Sequence, residues 1–179
     1  MQPIVHLAVG YLCYAALVRY RHGRAPRDAP AVVVLFAALL PDLIDKPLAS
    51  AGVVPVGRTV AHSLLIAVPL VVAVWLVADR RGRPTLGVAF AVGYLSHVAA
   101  DVPWHVLSGA VDELGFLLWP LTEMPAYTGV KPLGEVAGLS VTTLWIEAVV
   151  LLVGFALWIA DGLPGIPPAS GPLDDRENG

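Results

Sequence analysis

An all-α, polytopic membrane helix bundle of about five helices is the fold class this sequence predicts, on three observations. Hydrophobic residues fill 57% of its 179 positions and charged residues 14%, with a mean hydropathy of +0.74, far from soluble averages. Apolar runs of helical length recur between Pro- and Gly-bearing breaks. Seven of the eleven Lys and Arg residues fall in two short segments, 19–27 and 80–83, as in loops on one side of a bilayer. The net charge of -3 is small and gives no basis for a nucleic-acid partner. Cys13 is the single cysteine, so disulfide frameworks and thiolate metal clusters are excluded.

The first apolar run, Ile4 to Val18, is broken by His6 and followed by Arg19, Arg21, Arg24 and Arg27. A cleaved signal peptide carries its positive charge ahead of the apolar run, so this order predicts a retained helix, short for a span. The second run, Ala31 to Leu48, is apolar to Leu40 and then reads Pro41-Asp42-Leu43-Ile44-Asp45-Lys46-Pro47. Pro41 lacks an amide donor, which predicts a kink or a helix end where Asp42 and Asp45 arrive at i, i+3 spacing. A loop from Ala51 to Arg58 leads into Val60 to Ala78, with His62 in its first turn. The fourth helix begins at Pro84-Thr85 and carries His97 and Asp101 on one face, with Pro103 bending it just beyond. Residues 108–138 are less hydrophobic and read as an interfacial or re-entrant segment; Trp104, Phe116 and Trp119 suit an aromatic belt near lipid headgroups. Leu139 to Ala160 is the last span, interrupted by Glu147. Residues 1–160 thus form one membrane-embedded domain, and 161–179 a disordered polar tail.

Placing both arginine loops in the cytoplasm gives five spans with the N-terminus outside and the C-terminus inside. On that topology His6, Asp42, Asp45, His62, His97 and Asp101, drawn from four helices, share the outer layer, while His22 falls in a cytoplasmic loop and is excluded. An intramembrane Asp costs about 2.5–3.5 kcal/mol, so three approach roughly 9 kcal/mol before pairing. A divalent cation bound with the apparent 10–16 kcal/mol typical of structural zinc, roughly that much, is large enough to offset them. Imidazoles and carboxylates without thiolates suit zinc, manganese or a mixed pair, and more than four donors suits one or two ions. Such ions activate water at neutral pH and clamp the oxygens of an in-line phosphoryl displacement. Arg58, four residues before His62, is placed for a phosphate or carboxylate, or for a lipid headgroup.

The ordered set of His6, Leu39-Leu40-Pro41-Asp42 with Asp45, Arg58 through Thr59-Val60-Ala61-His62-Ser63-Leu64, and Gly93-Tyr94-Leu95-Ser96-His97 with Asp101 resembles the YdjM-like family of predicted membrane-bound metal-dependent hydrolases over about residues 1 to 120. The second motif is one residue longer than the family's Pro-Asp-x-Asp, and Gly57-Arg58 stands where the family commonly has His-Arg. More distantly, the order His, Pro-Asp, His, His-x-x-x-Asp is similar to the zinc-dependent phospholipase C family. That family's later His-x-x-x-Glu has His105 and Glu123 as its nearest substitutes here.

The resemblance implies a hydrolase, and the arginine loops put its donor layer at the extracytoplasmic face of a prokaryotic cell membrane. His6, Asp42, His62, His97 and Asp101 are the expected metal ligands, Asp42 or Asp45 the proton acceptor, and Arg58 the group that holds a small-molecule or lipid phosphoester. Two rivals use the same sequence: an ion- or proton-coupled transporter, with Pro41 and Pro103 as helix breaks, and a non-catalytic membrane protein that needs none of the acids. Glu147 has no assigned role in any of them.

Overall fold

The computed structural model describes residues 2–102, 106, 111–122 and 141–167, and only the backbone of 141–144. Within them the chain forms α1 (Pro3–His22), α2 (Asp28–Ser50), α3 (Leu64–Arg80), α4 (Pro84–Ala100), a 3-10 helix (Val111–Leu118) and α5 (Val141–Ala160). The fold is all-helical, with no strand among the described residues.

α1 is longer than its apolar run, because its ends are built for a helix. Pro3 opens it with a pre-set φ, and Gly23 closes it in the left-handed region at φ 63, its N–H bonded to the Arg19 carbonyl at 2.8 Å. α2 does not end at Pro-Asp; it runs through Pro41 and Pro47 to Ser50 and keeps Asp42 and Asp45 on its buried face. α3 starts at Leu64 rather than Val60, because the Ser63 hydroxyl caps it by accepting the Leu65 N–H at 3.3 Å. His62 therefore stands in the loop before α3, not in its first turn. α4 closes at Ala100 with Asp101 as its C-cap. Pro103, Trp104, His105 and Glu123 lie outside the described residues.

α4 is the centre of the bundle and packs on α1, α2 and α3, while α5 packs on α1. The α2–α4 crossing is close because Gly93 has no side chain: a Cβ there would stand 2.3 Å from the Val34 carbonyl oxygen. Gly154 does the same for α5, where a Cβ would meet that of Ala8 at 2.8 Å. Phe116 of the 3-10 helix sinks into a cluster with Ala67, Val71, Phe90, Tyr94 and Val98 and is 1% exposed. It is a core residue, not the headgroup anchor its sequence suggests. Trp119 is half-buried, and its carbonyl accepts a hydrogen bond from Ser63 Oγ at 2.6 Å.

Apolar residues face outward as well as into the core. Val68, Val72 and Trp75 of α3 and Leu152 and Phe155 of α5 point outward, whereas three histidines and three aspartates are buried. By length and composition, α1 is the one helix among the described residues that is long and apolar enough to cross a membrane; Pro84–Ala100 and Trp145–Ala160 are shorter apolar helices. The expected tail begins with anchored residues: Asp161 accepts hydrogen bonds from Tyr11 and Arg19, and the Gly165 N–H bonds Asp28 at 2.9 Å.

Candidate metal centre

The start of α1, the second half of α2, the loop before α3 and the end of α4 meet at one end of the bundle, because the chain reverses between successive helices, through short connections at 23–27 and 81–83 and a longer loop at 51–63. They bring together Asp42, His62, His97 and Asp101, each offering one ligand atom within 4.8 Å of the others and each buried. His62 Nε2 lies 3.0 Å from His97 Nε2 and 3.3 Å from Asp101 Oδ2. Asp101 Oδ2 is 3.9 Å from His97 Nε2, and Asp42 Oδ1 is 4.0 Å from both imidazole nitrogens. A tetrahedron with metal–ligand bonds of about 2.0–2.1 Å has edges of roughly 3.3 Å, so this donor set suits one divalent ion.

The partners behind the rings fix their orientation. His97 Nδ1 is 2.7 Å from the Ala38 carbonyl oxygen, which only accepts, so that nitrogen carries a proton. His62 Nδ1 is 2.7 Å from Asp45 Oδ2 and donates to it. Neutral rings with these tautomers turn two Nε2 lone pairs toward each other at 3.0 Å, an arrangement that requires a positive charge at that point. Either a proton or a metal ion supplies it. Burial by itself pulls the His62 imidazolium down, but Asp101 and Asp45 outweigh burial and raise its pKa above the ordinary value.

Asp45 does not face the four-donor group. Its oxygens accept the backbone N–H groups of Thr59 at 2.8 Å, Ala61 at 3.0 Å and His62 at 3.3 Å in addition to the imidazole, so it stands behind His62 and shapes the loop. Tyr94 steadies the same loop by donating to the Ala61 carbonyl at 2.7 Å. A carboxylate or carbonyl behind each ligating imidazole is the usual outer support of a metal site.

His6 sits beside the group rather than in it. Its ring stacks on His97 with centroids 3.8 Å apart, and Nε2 lies 3.2 Å from Asp101 Oδ1. That contact is off the hydrogen-bond direction, so neither buried ring nitrogen is hydrogen-bonded within the described structure. Leaving such a nitrogen unsatisfied costs about 1–3 kcal/mol, which favours a site that takes up another ligand. Arg58 grips Asp101 through Nε at 3.0 Å and a terminal nitrogen at 3.3 Å. Lys46, a residue with no role in the motifs above, holds Asp42 Oδ2 at 2.6 Å, and the i, i+4 spacing from Asp42 is its signal in the sequence. The Ala38 carbonyl and Tyr94 carry no such signal. Glu147 is half-buried on α5, a helix that packs on α1.

Residues 1–162 match the model of a family described as YdjM inner membrane protein, so the match extends past the four motifs to take in α5. No curated protein and no solved structure matches the chain.

Proposed function

The chain belongs to the YdjM inner membrane protein family, and from that premise we propose that it is a membrane-embedded metal-dependent hydrolase of phosphoesters, lipid phosphoesters among them. The observation that carries this reading is the pair of Nε2 atoms 3.0 Å apart, each with its Nδ1 committed to an acceptor. Asp42, His62, His97 and Asp101 would hold the ion, with His6 next to them as a further donor. Zinc fits best, since two imidazoles and two carboxylates at tetrahedral spacing are its common donor types. The bound ion supplies Lewis acidity toward water and a phosphoryl oxygen.

The chain's own residues do the rest. Asp45 fixes the His62 tautomer and ring angle through its 2.7 Å contact. Asp42 turns Oδ1 to the donor group and Oδ2 to Lys46 at the half-exposed rim, and Oδ2 is the proton acceptor. Arg58 orients Asp101 and adds positive charge beside it for an anionic substrate. The 3-10 helix covers one side, with Phe116 edge-on to His62 at 6.4 Å between ring centroids, and keeps water from that face.

The outward apolar residues of α3 and α5 meet lipid in this reading, and the bundle crosses the membrane about five times. Arg19, Arg21, Arg24 and Arg27 with Arg80, Arg81 and Arg83 then mark the cytoplasmic side, which puts the donor end outside. Titration of detergent-purified protein with zinc, followed by elemental analysis and a phosphoester screen, tests the function. One retained ion per chain, weakened about a hundredfold or more in His97→Ala, is expected, since one donor of four carries about 2.5–4 kcal/mol of the binding. Metal-free wild-type protein that couples proton movement to transport would instead assign the shared position to a proton relay.

A further inference from the structure

Resting on the metal-dependent reading above, we propose that Lys46 is the residue that grips the substrate's phosphate anion, its Nζ exchanging Asp42 Oδ2 for a phosphoryl oxygen. Two observations place it there. Lys46 spans the boundary of the site: its side chain is 40% exposed, while the Asp42 side chain it contacts at 2.6 Å is 7% exposed. Its stem lies along the loop that carries Arg58, since a Cβ on Gly57 would meet Lys46 Cγ at 3.5 Å. The ammonium thus sits at the rim, next to the backbone that delivers the guanidinium.

Charge then decides what the rim attracts. Asp42, Asp45 and Asp101 against Lys46 and Arg58 give -3 + 2 = -1 with neutral histidines. A divalent ion changes this to +1 and leaves the loaded site short of one negative charge. Arg58 makes two contacts to Asp101 and is tied to a ligand carboxylate. Lys46 is different: an ammonium has three N–H donors on a flexible stem, and with its side chain 40% exposed it can turn a donor to a second anion at the rim. A phosphate oxygen near the ion is a stronger partner, because charge-assisted contacts to phosphate are among the strong hydrogen bonds. Lysine binds such an anion as a point charge and needs no fixed fork, which suits a residue that changes partner.

The test uses zinc-loaded full-length protein in detergent micelles, titrated calorimetrically with inorganic phosphate and, in a second arm, with phosphatidic acid in the same micelles, while elemental analysis follows the bound metal. Lys46→Gln should keep stoichiometric zinc and bind phosphate at least about tenfold more weakly, and Lys46→Arg should restore most of the affinity. A loss confined to phosphatidic acid assigns the anion to a lipid headgroup, and a loss confined to inorganic phosphate assigns it to a water-borne ester. Unchanged phosphate affinity in zinc-loaded Lys46→Gln overturns the proposal. So does loss of zinc together with phosphate in that variant, which would leave Lys46 as a support for Asp42 alone. Wild-type protein that takes up no zinc overturns the metal-dependent reading itself, a result visible before any variant is made.

Discussion

Each end of the bundle takes a carboxylate out of solvent, and the two ends treat it differently. Asp161, at the end of α5, accepts the Tyr11 hydroxyl at 2.6 Å and the Arg19 guanidinium. Asp101, at the end of α4, faces His6, His62 and Arg58. His6 and Arg19 are thirteen residues apart on α1, so the two places are separated by about 20 Å along the helix. The partners of Asp161 are permanent donors, and the clasp they form ties α5 and the chain beyond it to α1 with nothing left over. Two partners of Asp101 are imidazoles, whose protons are conditional: Asp45 already claims Nδ1 of His62, and neither ring nitrogen of His6 is hydrogen-bonded within the described structure. Burial of an acid therefore does not by itself mark a functional site. Each acid has an arginine; the difference lies in the imidazoles beside Asp101, where the facing Nε2 atoms of His62 and His97 need a positive charge from outside.

Acidification should separate the ends most widely. A metal ion at His62 competes with a proton, and the raised His62 pKa brings that competition in above the ordinary imidazole value near 6.5. Zinc affinity should hold at higher pH and fall by about tenfold per unit below the raised pKa, roughly a hundredfold over two units, in equilibrium dialysis at stepped pH. The sign reverses for folding of the metal-free protein: protonated His62 contributes stability that is fully present below its unfolded pKa and is lost as pH rises through the higher folded one. Flat zinc affinity across that window would remove His62 from the donor set.

A smaller effect is expected from Asp45→Asn. The amide oxygen still accepts backbone N–H groups, but the charge that fixes His62 Nδ1–H is lost, and zinc affinity should drop about tenfold, within the 10- to 100-fold range (roughly) of outer supports. Affinity as weak as that of His97→Ala would instead make Asp45 a direct ligand. The smallest effect on the metal should come from Asp161→Asn. Thermal unfolding should show a loss of about 1–2 kcal/mol, at the low side because Arg19 is 37% exposed, with zinc affinity unchanged. Altered zinc binding in that variant would mean that the two ends are coupled through α1.

The helices and the donors were legible in the chain because both depend on local chemistry. Apolar runs of helical length and a Pro and a Gly at the ends of α1 specify elements, and His97 with Asp101 share a face by spacing alone. Phe116 and Asp161 were not legible, since one is drawn into the core by α3 and α4 and the other is paired with α1 across most of the sequence. The roles within the site divide the same way. His6, Asp42, His62, His97 and Asp101 could be gathered into one layer from sequence. That Asp45 stands behind His62 and that His6 stacks on His97 follow from packing.

By itself the sequence determined an all-helical chain whose acids and imidazoles collect toward one end, because residue type and helical period act within a few positions. Only the tertiary structure decided which nitrogens face inward and what charge they call for. That depends on Gly93 letting α4 approach α2 closely enough for the Ala38 carbonyl to accept the His97 Nδ1–H, and on the loop carrying His62 folding its ring onto Asp45. Proton positions in a buried cluster are set by groups that meet through space, and no spacing along the chain encodes them.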